Sequence, residues 1–260
     1  MSSGELENDG WVRTSRDGAV LTVTLNRPDQ LNAQTPATWA ALAAVGDALD
    51  DDVRVVVLRG EGRSFSAGLD RSLFSPEPGV AGGLGDLGRL SAEEAQERIR
   101  GYQGGFRWLR SPEIVSVAAV QGHAIGAGAQ LALACDLRVL TDDAQLRLPE
   151  ATLGLVPDLT GTSNLVELVG YSRAMEICLT GRAVGAAEAH AIGLANVVVP
   201  AADLDGTVAD LVAALVAPPV GASRETAALV RSAVRNAPDV QDAAERAAQV
   251  RRLHELVGGR

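Results

Sequence analysis

In residues 19–26 (AVLTVTLN) apolar and polar side chains alternate, and several are β-branched. This two-residue period predicts a strand, which Pro28 closes. Residues 36–50 (PATWAALAAVGDALD) open on a proline and carry apolar side chains at helical spacing, which predicts a helix. Residues 53–59 (VRVVVLR) predict a second strand, broken by Gly60 and Gly62. Residues 71–90 are rich in Gly and Pro and read as a long mobile loop, a common form for a lid. A helix over 91–110 and a buried strand over 114–121 (IVSVAAVQ) follow. Residues 122–128 form a turn of small residues that opens a helix to about 134, and 136–140 predict another strand. Strands alternating with helices up to about residue 200 predict an α/β core with crossovers. Beyond Pro200, residues 202–216, 222–236 and 238–256 have helical spacing, with Pro218-Pro219 between the first two. The chain thus divides into a core over 1–200 and a helical region over 201–260.

Composition narrows the function classes. A chain of 260 residues, 47% hydrophobic, can bury one large core with an appended piece. No apolar run reaches the ~18 residues that span a bilayer. Residues 1–10 are polar and acidic, without the basic and apolar segments of a secretory signal, so a cytoplasmic location is the default expectation. The net charge of -10 argues against a nucleic-acid backbone binder, while leaving room for a local basic pocket. All 23 basic residues are Arg, which rules out Schiff-base lysine chemistry. Cys135 and Cys178 sit in apolar contexts and read as buried thiols. His123, His190 and His254 are far apart, so no metal is expected. Ser66 is not in a GxSxG elbow, and His123 reads as a packed or hydrogen-bonded side chain, so no Ser/His/Asp triad is expected.

Five stretches stand out: 25–33 (LNRPDQLNA), 62–70 (GRSFSAGLD), 122–136 (GHAIGAGAQLALACD), 148–162 (LPEATLGLVPDLTGT) and 179–200 (LTGRAVGAAEAHAIGLANVVVP). Alone, Gly122, Gly126 and Gly128 read as a tight strand-to-helix turn. Their G-x-x-x-G-x-G spacing is not the dinucleotide fingerprint. In order and spacing the five stretches resemble the crotonase family of enoyl-CoA hydratases and isomerases, over about residues 12–240.

The resemblance implies a crotonase spiral of β-β-α units with C-terminal helices that pack in a homotrimer or dimer of trimers. It implies an acyl-CoA or enoyl-CoA substrate, with coenzyme A as part of the substrate and no other cofactor. It further implies an oxyanion hole built from the backbone N–H groups of Leu69 and Ala127. Such donors stabilise the enolate-like thioester oxygen, and losing one costs about 10²–10³ in rate. The turn at Ala127 opens a helix, whose dipole adds to that field. Family hydratases carry two glutamates twenty residues apart. The later one here is Glu150, but the earlier is Gln130, an amide that can hold water and cannot exchange protons near neutral pH. Asp158 stands eight residues after Glu150, at an offset where the dienoyl-CoA isomerase branch has an aspartate; a turn-forming Asp after Pro157 is the equal alternative. The resemblance also places Gln30, Leu31, Ser66, Ala67, Gly68 and Asp70 along the CoA path. Arg27 or Arg71 could meet the phosphates. Double-bond isomerisation is therefore favoured over hydration. A single-glutamate hydratase and a non-catalytic acyl-CoA-binding scaffold are the alternatives.

Overall fold

The computed structural model describes residues 10–77 and 79–258; the reading of the first nine residues lies outside the described residues. The chain opens with β1 (Val12–Asp17) and β2 (Val20–Leu25), a hairpin that turns at Gly18 with φ 54°. Helix α1 (Pro36–Asp47) follows, then β3 (Val55–Gly60). Next come the short α2 (Leu84–Leu87), the long α3 (Ala92–Arg107), β4 (Val115–Val120), β5 (His123–Ile125) and α4 (Ala127–Ala134). After these come β6 (Leu137–Thr141), β7 (Gln145–Arg147), α5 (Gly161–Val169), α6 (Tyr171–Thr180), β8 (Ala183–Gly185), α7 (Ala186–Ala191) and β9 (Val197–Val199). Helices α8 (Leu204–Val216), α9 (Val220–Ala233) and α10 (Pro238–Gly258) end the fold. No single described helix is both long and apolar enough to cross a bilayer.

Six strands form one sheet in the order β1-β2-β3-β4-β6-β9, parallel except for the β1-β2 hairpin. β5, β7 and β8 form a second, smaller sheet. The central strands are apolar on both faces because both faces are covered. Val56, Leu58, Ala118, Val120 and Leu140 face the main core with α1, α3 and α4. The alternate positions Val55, Val57, Val117, Ala119 and Val139 pack on Leu204 and Val208 of α8. Helix α1 is started by Thr35 and Thr38, which cap each other's backbone N–H, with Pro36 in the first turn. Ser91 and Glu94 do the same for α3.

The β-β-α repeat is visible in β4-β5-α4 and in β6-β7 followed by a 3-10 turn (Glu150–Leu153) and α5. In each pair the first strand joins the large sheet and the second the small one. This repeat positions the site. β5 and β7 run parallel with Ile125 opposite Arg147, so the chain leaves both strands side by side. Gly126-Ala127 therefore emerges next to Pro149-Glu150.

One element, β1, was not expected, and one expectation changes. β1 carries one buried side chain, Val12, and is otherwise exposed, so its sequence shows no apolar alternation to read. Residues 71–90 are not a continuous loop. A 3-10 turn over Arg71–Phe74 buries Leu73, and α2 buries Gly85 against the carbonyls of Pro76 and Glu77.

Candidate active site

The segment carrying Leu69 is an irregular strand held on two sides. Ser66 forms a parallel bridge with Ala124 of β5, and Leu69 forms one with Gln34. At Gly68 the backbone takes φ 86°, a conformation open to glycine and strained for other residues. A methyl group there would lie 2.3 Å from Ile125 O and 3.4 Å from Ala127 N, so the turn and the start of α4 are in direct contact. The N–H groups of Leu69 and Ala127 find no acceptor among the described residues. All eight residues of α4 are buried, and its first turn offers orphan N–H groups, as a helix N-terminus must.

Glu150 closes the third side. It is 8% exposed, and its Oε1 is 3.4 Å from where a methyl group on Gly126 would stand. That oxygen accepts a 2.8 Å hydrogen bond from Gln130 Nε2. The other oxygen, Oε2, is buried without a partner among the described residues. Burial pushes the Glu150 carboxyl above its ordinary range, its own backbone and Gln130 pull it back, and the Asp158 charge pushes it further up. Burial likewise raises Asp158. The Gln103 side chain on α3 donates to Asp158 O at 2.7 Å, which ties that loop to the helix.

Gln130 is fixed at both ends of its amide. Its Oε1 accepts from Leu159 N at 2.8 Å and Gly161 N at 3.2 Å, which leaves the NH2 end to face Glu150. Gly161 is needed there, because a methyl group would stand 2.6 Å from Gln130 Cγ.

The residues expected along the CoA path fall into two groups. Gln30 is exposed, and Leu31 is half-buried with φ 51°. Ala67 is half-buried and donates its N–H to Leu31 O at 2.8 Å. Ser66 is fully buried, with its hydroxyl bonded inside the protein. Asp70 accepts from Ser72 and, at 3.0 Å, from Arg27; burial opposes its ionisation, but these bonds outweigh it and hold its pKa low. Arg27 is committed to the same knot. It donates to Ala33 O at 2.7 Å and to Gln30 Oε1, and stacks 4.0 Å from the Trp11 ring centroid. Arg71 is exposed and pairs with no carboxylate among the described residues. His123 is exposed at the edge of β5, 3.4 Å from Ser64 Oγ.

A family model for enoyl-CoA hydratase/isomerase matches residues 15–257. The chain belongs to the enoyl-CoA hydratase/isomerase family. As an enzyme of that family it has the crotonase α/β architecture expected from its motifs. A Thermobifida fusca protein solved in complex with acetoacetyl-CoA is 48% identical with TM-score 0.89, covering 94% of this chain and 95% of that one. The enoyl-CoA hydratase of Mycobacterium smegmatis is 31% identical with TM-score 0.80, over 94% of this chain and 91% of that one. The peroxisomal Delta(3,5)-Delta(2,4)-dienoyl-CoA isomerase of Arabidopsis thaliana is 32% identical over 187 residues, 71% of this chain and 67% of that protein. Relatives of this hydratase/isomerase chain thus include both reaction types.

Sequence reading did not single out Gln34, Trp39 or Gln103. Gln34 and Trp39 stand just beyond the first motif stretch. What marks them is burial with a polar partner, and that depends on contacts far along the chain.

Proposed function

We propose that this protein binds an enoyl-CoA and moves its double bond through an enolate held by the N–H groups of Leu69 and Ala127. Coenzyme A enters as part of the substrate, and Gln30, Leu31, Ala67, Gly68 and the free Arg71 line its path. Glu150 Oε2 removes a proton next to the polarised carbonyl, and Glu150 or Asp158 returns one further along the acyl chain. The observation that carries this reading is the orientation of Gln130: its amide donates to Glu150 and is held by two backbone N–H groups, so it positions one carboxylate and exchanges no proton. Syn hydration would need two proton-exchanging groups on one water, and a missing one typically costs about 10²–10⁴. The same reading includes a homotrimer or dimer of trimers, supported by Val230, Val250, Leu253, Leu256 and Val257, exposed on the last two helices.

The test is mass-resolved turnover of 2-enoyl-, 3-enoyl-, 2,4-dienoyl- and 3,5-dienoyl-CoA in deuterated water. The expected result is deuterium incorporation or a shifted double bond without gain of water. Gain of one water on 2-enoyl-CoA identifies a single-glutamate hydratase instead, and binding without conversion identifies a scaffold.

The pH dependence follows from the raised Glu150. Only its ionised form is a base, so kcat/KM is expected to rise with pH through a value above the ordinary ~4.3 of a glutamate. A rate already at its plateau at pH 4 contradicts the assignment.

A further inference from the structure

The Leu69 N–H is only useful if it points at the thioester oxygen, and the peptide unit that carries it has three grips. A trans peptide is planar, with C=O and N–H on opposite sides. Fixing Gly68 C=O therefore fixes the direction of Leu69 N–H. Gly68 O accepts from Gln34 N at 2.7 Å, and Asp70 N donates to Gln34 O at 2.8 Å, so one residue brackets Leu69 from both sides. The third grip is the Ser66 hydroxyl, which accepts from Gly68 N at 3.2 Å.

Ser66 and Gln34 are both fully buried, and their side chains are joined. Gln34 Nε2 donates to Ser66 Oγ at 3.0 Å, and Ser66 Oγ donates to Asn32 O at 2.8 Å. Gln34 Oε1 accepts from Trp39 Nε1 at 2.8 Å, which fixes the amide with its NH2 end toward the serine. Every polar atom in this relay has a partner. The chain bends to build it: Leu31 and Asn32 both take left-handed φ values, 51° and 53°, and their carbonyls accept from Ala67 N and Ser66 Oγ. Two adjacent non-glycine residues in that region mark strain held in place by surrounding contacts, a feature that clusters at functional sites. Ser66 also touches the other donor's helix, since a methyl group on Gly128 would stand 2.5 Å from Ser66 O and 2.9 Å from its Oγ.

We propose that Ser66 and Gln34 are positioning residues for the oxyanion hole, with Trp39 setting the Gln34 amide. They act through Leu69 and, at Ser66, through the first turn of α4. The inference rests on the proposed enolate chemistry. Hydroxyl loss at Ser66 removes one of the three grips and leaves the Leu69 N–H present but less firmly aimed, so its effect lies below the loss of a whole donor, about 10²–10³.

The test is Ser66→Ala with [1-13C]butyryl-CoA as a non-reacting probe. Infrared difference spectra report carbonyl polarisation, and titration reports Kd. In the wild type the bound carbonyl stretch falls below its value in water. In Ser66→Ala the expected result is a smaller fall, with Kd within about twofold and kcat on 3-hexenoyl-CoA down about tenfold. Trp39→Phe, which removes one N–H and keeps a ring, is expected to show a weaker version of the same shift, and it stands in if the alanine variant does not fold. A carbonyl stretch equal to the wild type's in both variants overturns the positioning role, whatever happens to thermal stability. No downshift in the wild type itself overturns the oxyanion reading beneath it, which keeps the two failures apart.

Discussion

Replacing Glu150 by Gln is expected to lower turnover by about 10²–10⁴ while leaving acyl-CoA affinity nearly unchanged. The two effects separate because, in the proposed mechanism, Glu150 acts through Oε2, an oxygen with no hydrogen-bond partner among the described residues. The amide keeps the carbonyl end on Gln130 Nε2 and loses only the base. Stability should move the other way. Burial raises the folded-state pKa of Glu150, so the folded chain binds that proton more tightly than the unfolded chain does. The resulting stabilisation is fully present below the unfolded pKa and is lost as pH rises through the folded value. At pH 7 the ionised, partly unpaired carboxylate is a burden that a neutral amide lightens. Thermal unfolding at pH 7 should therefore give the variant the higher Tm, with the difference shrinking as pH falls toward 4. An active variant, or one whose Tm advantage grows in acid, contradicts this account.

The second large effect is expected at Gly68→Ala. An added methyl group would meet Ile125 O at 2.3 Å, far inside contact distance, at φ 86° where an alanine is already strained. Either the Leu69 turn or the end of β5 must move, and these lead into the two proposed oxyanion donors, Leu69 and Ala127. Turnover should fall by at least about 10²-fold, the value of one lost donor. Gly18→Ala is the control. Its φ is also positive, at 54°, but nothing lies within 4 Å, so it should cost only stability, about 1–2 kcal/mol, with kcat unchanged. Equal kcat losses in the two variants would mean that backbone strain, rather than the site, sets the rate.

The legible parts of this fold share a physical cause. β2, β3 and β4 carry long apolar or alternating runs, and α1, α3 and α8 to α10 carry enough turns for a period to show. β5, β7, β8 and β9 have three residues each, too few for any period, and they are strands because neighbours complete their ladders. α5, α6 and α7 lie in a segment where the motifs were recognised but no helix was read. At the candidate site, motif spacing named Leu69, Ala127, Gln130 and Glu150, and the parallel β5-β7 pairing explains why two of them, Ala127 and Glu150, stand side by side. Arg27 shows the limit. An arginine in a motif can meet phosphate or protein, and the choice is made by Asp70, 43 residues away. Ser66 lay in a motif as well, but only its partners reveal that its hydroxyl faces inward.

The segment around Leu69 is a seam. One edge is stitched to Gln34 and the other to Ala124, and neither stitch is local in sequence. Contacts so far apart in sequence carry a loop-closure cost that helices and local hairpins do not, so the Leu69 segment depends on the chain around it being folded. A chain with only its helices and local hairpins formed therefore lacks the seam on which the proposed oxyanion hole depends. The proposed chemistry is therefore tied to long-range contacts rather than to helix or strand content, and is lost wherever those contacts are not made.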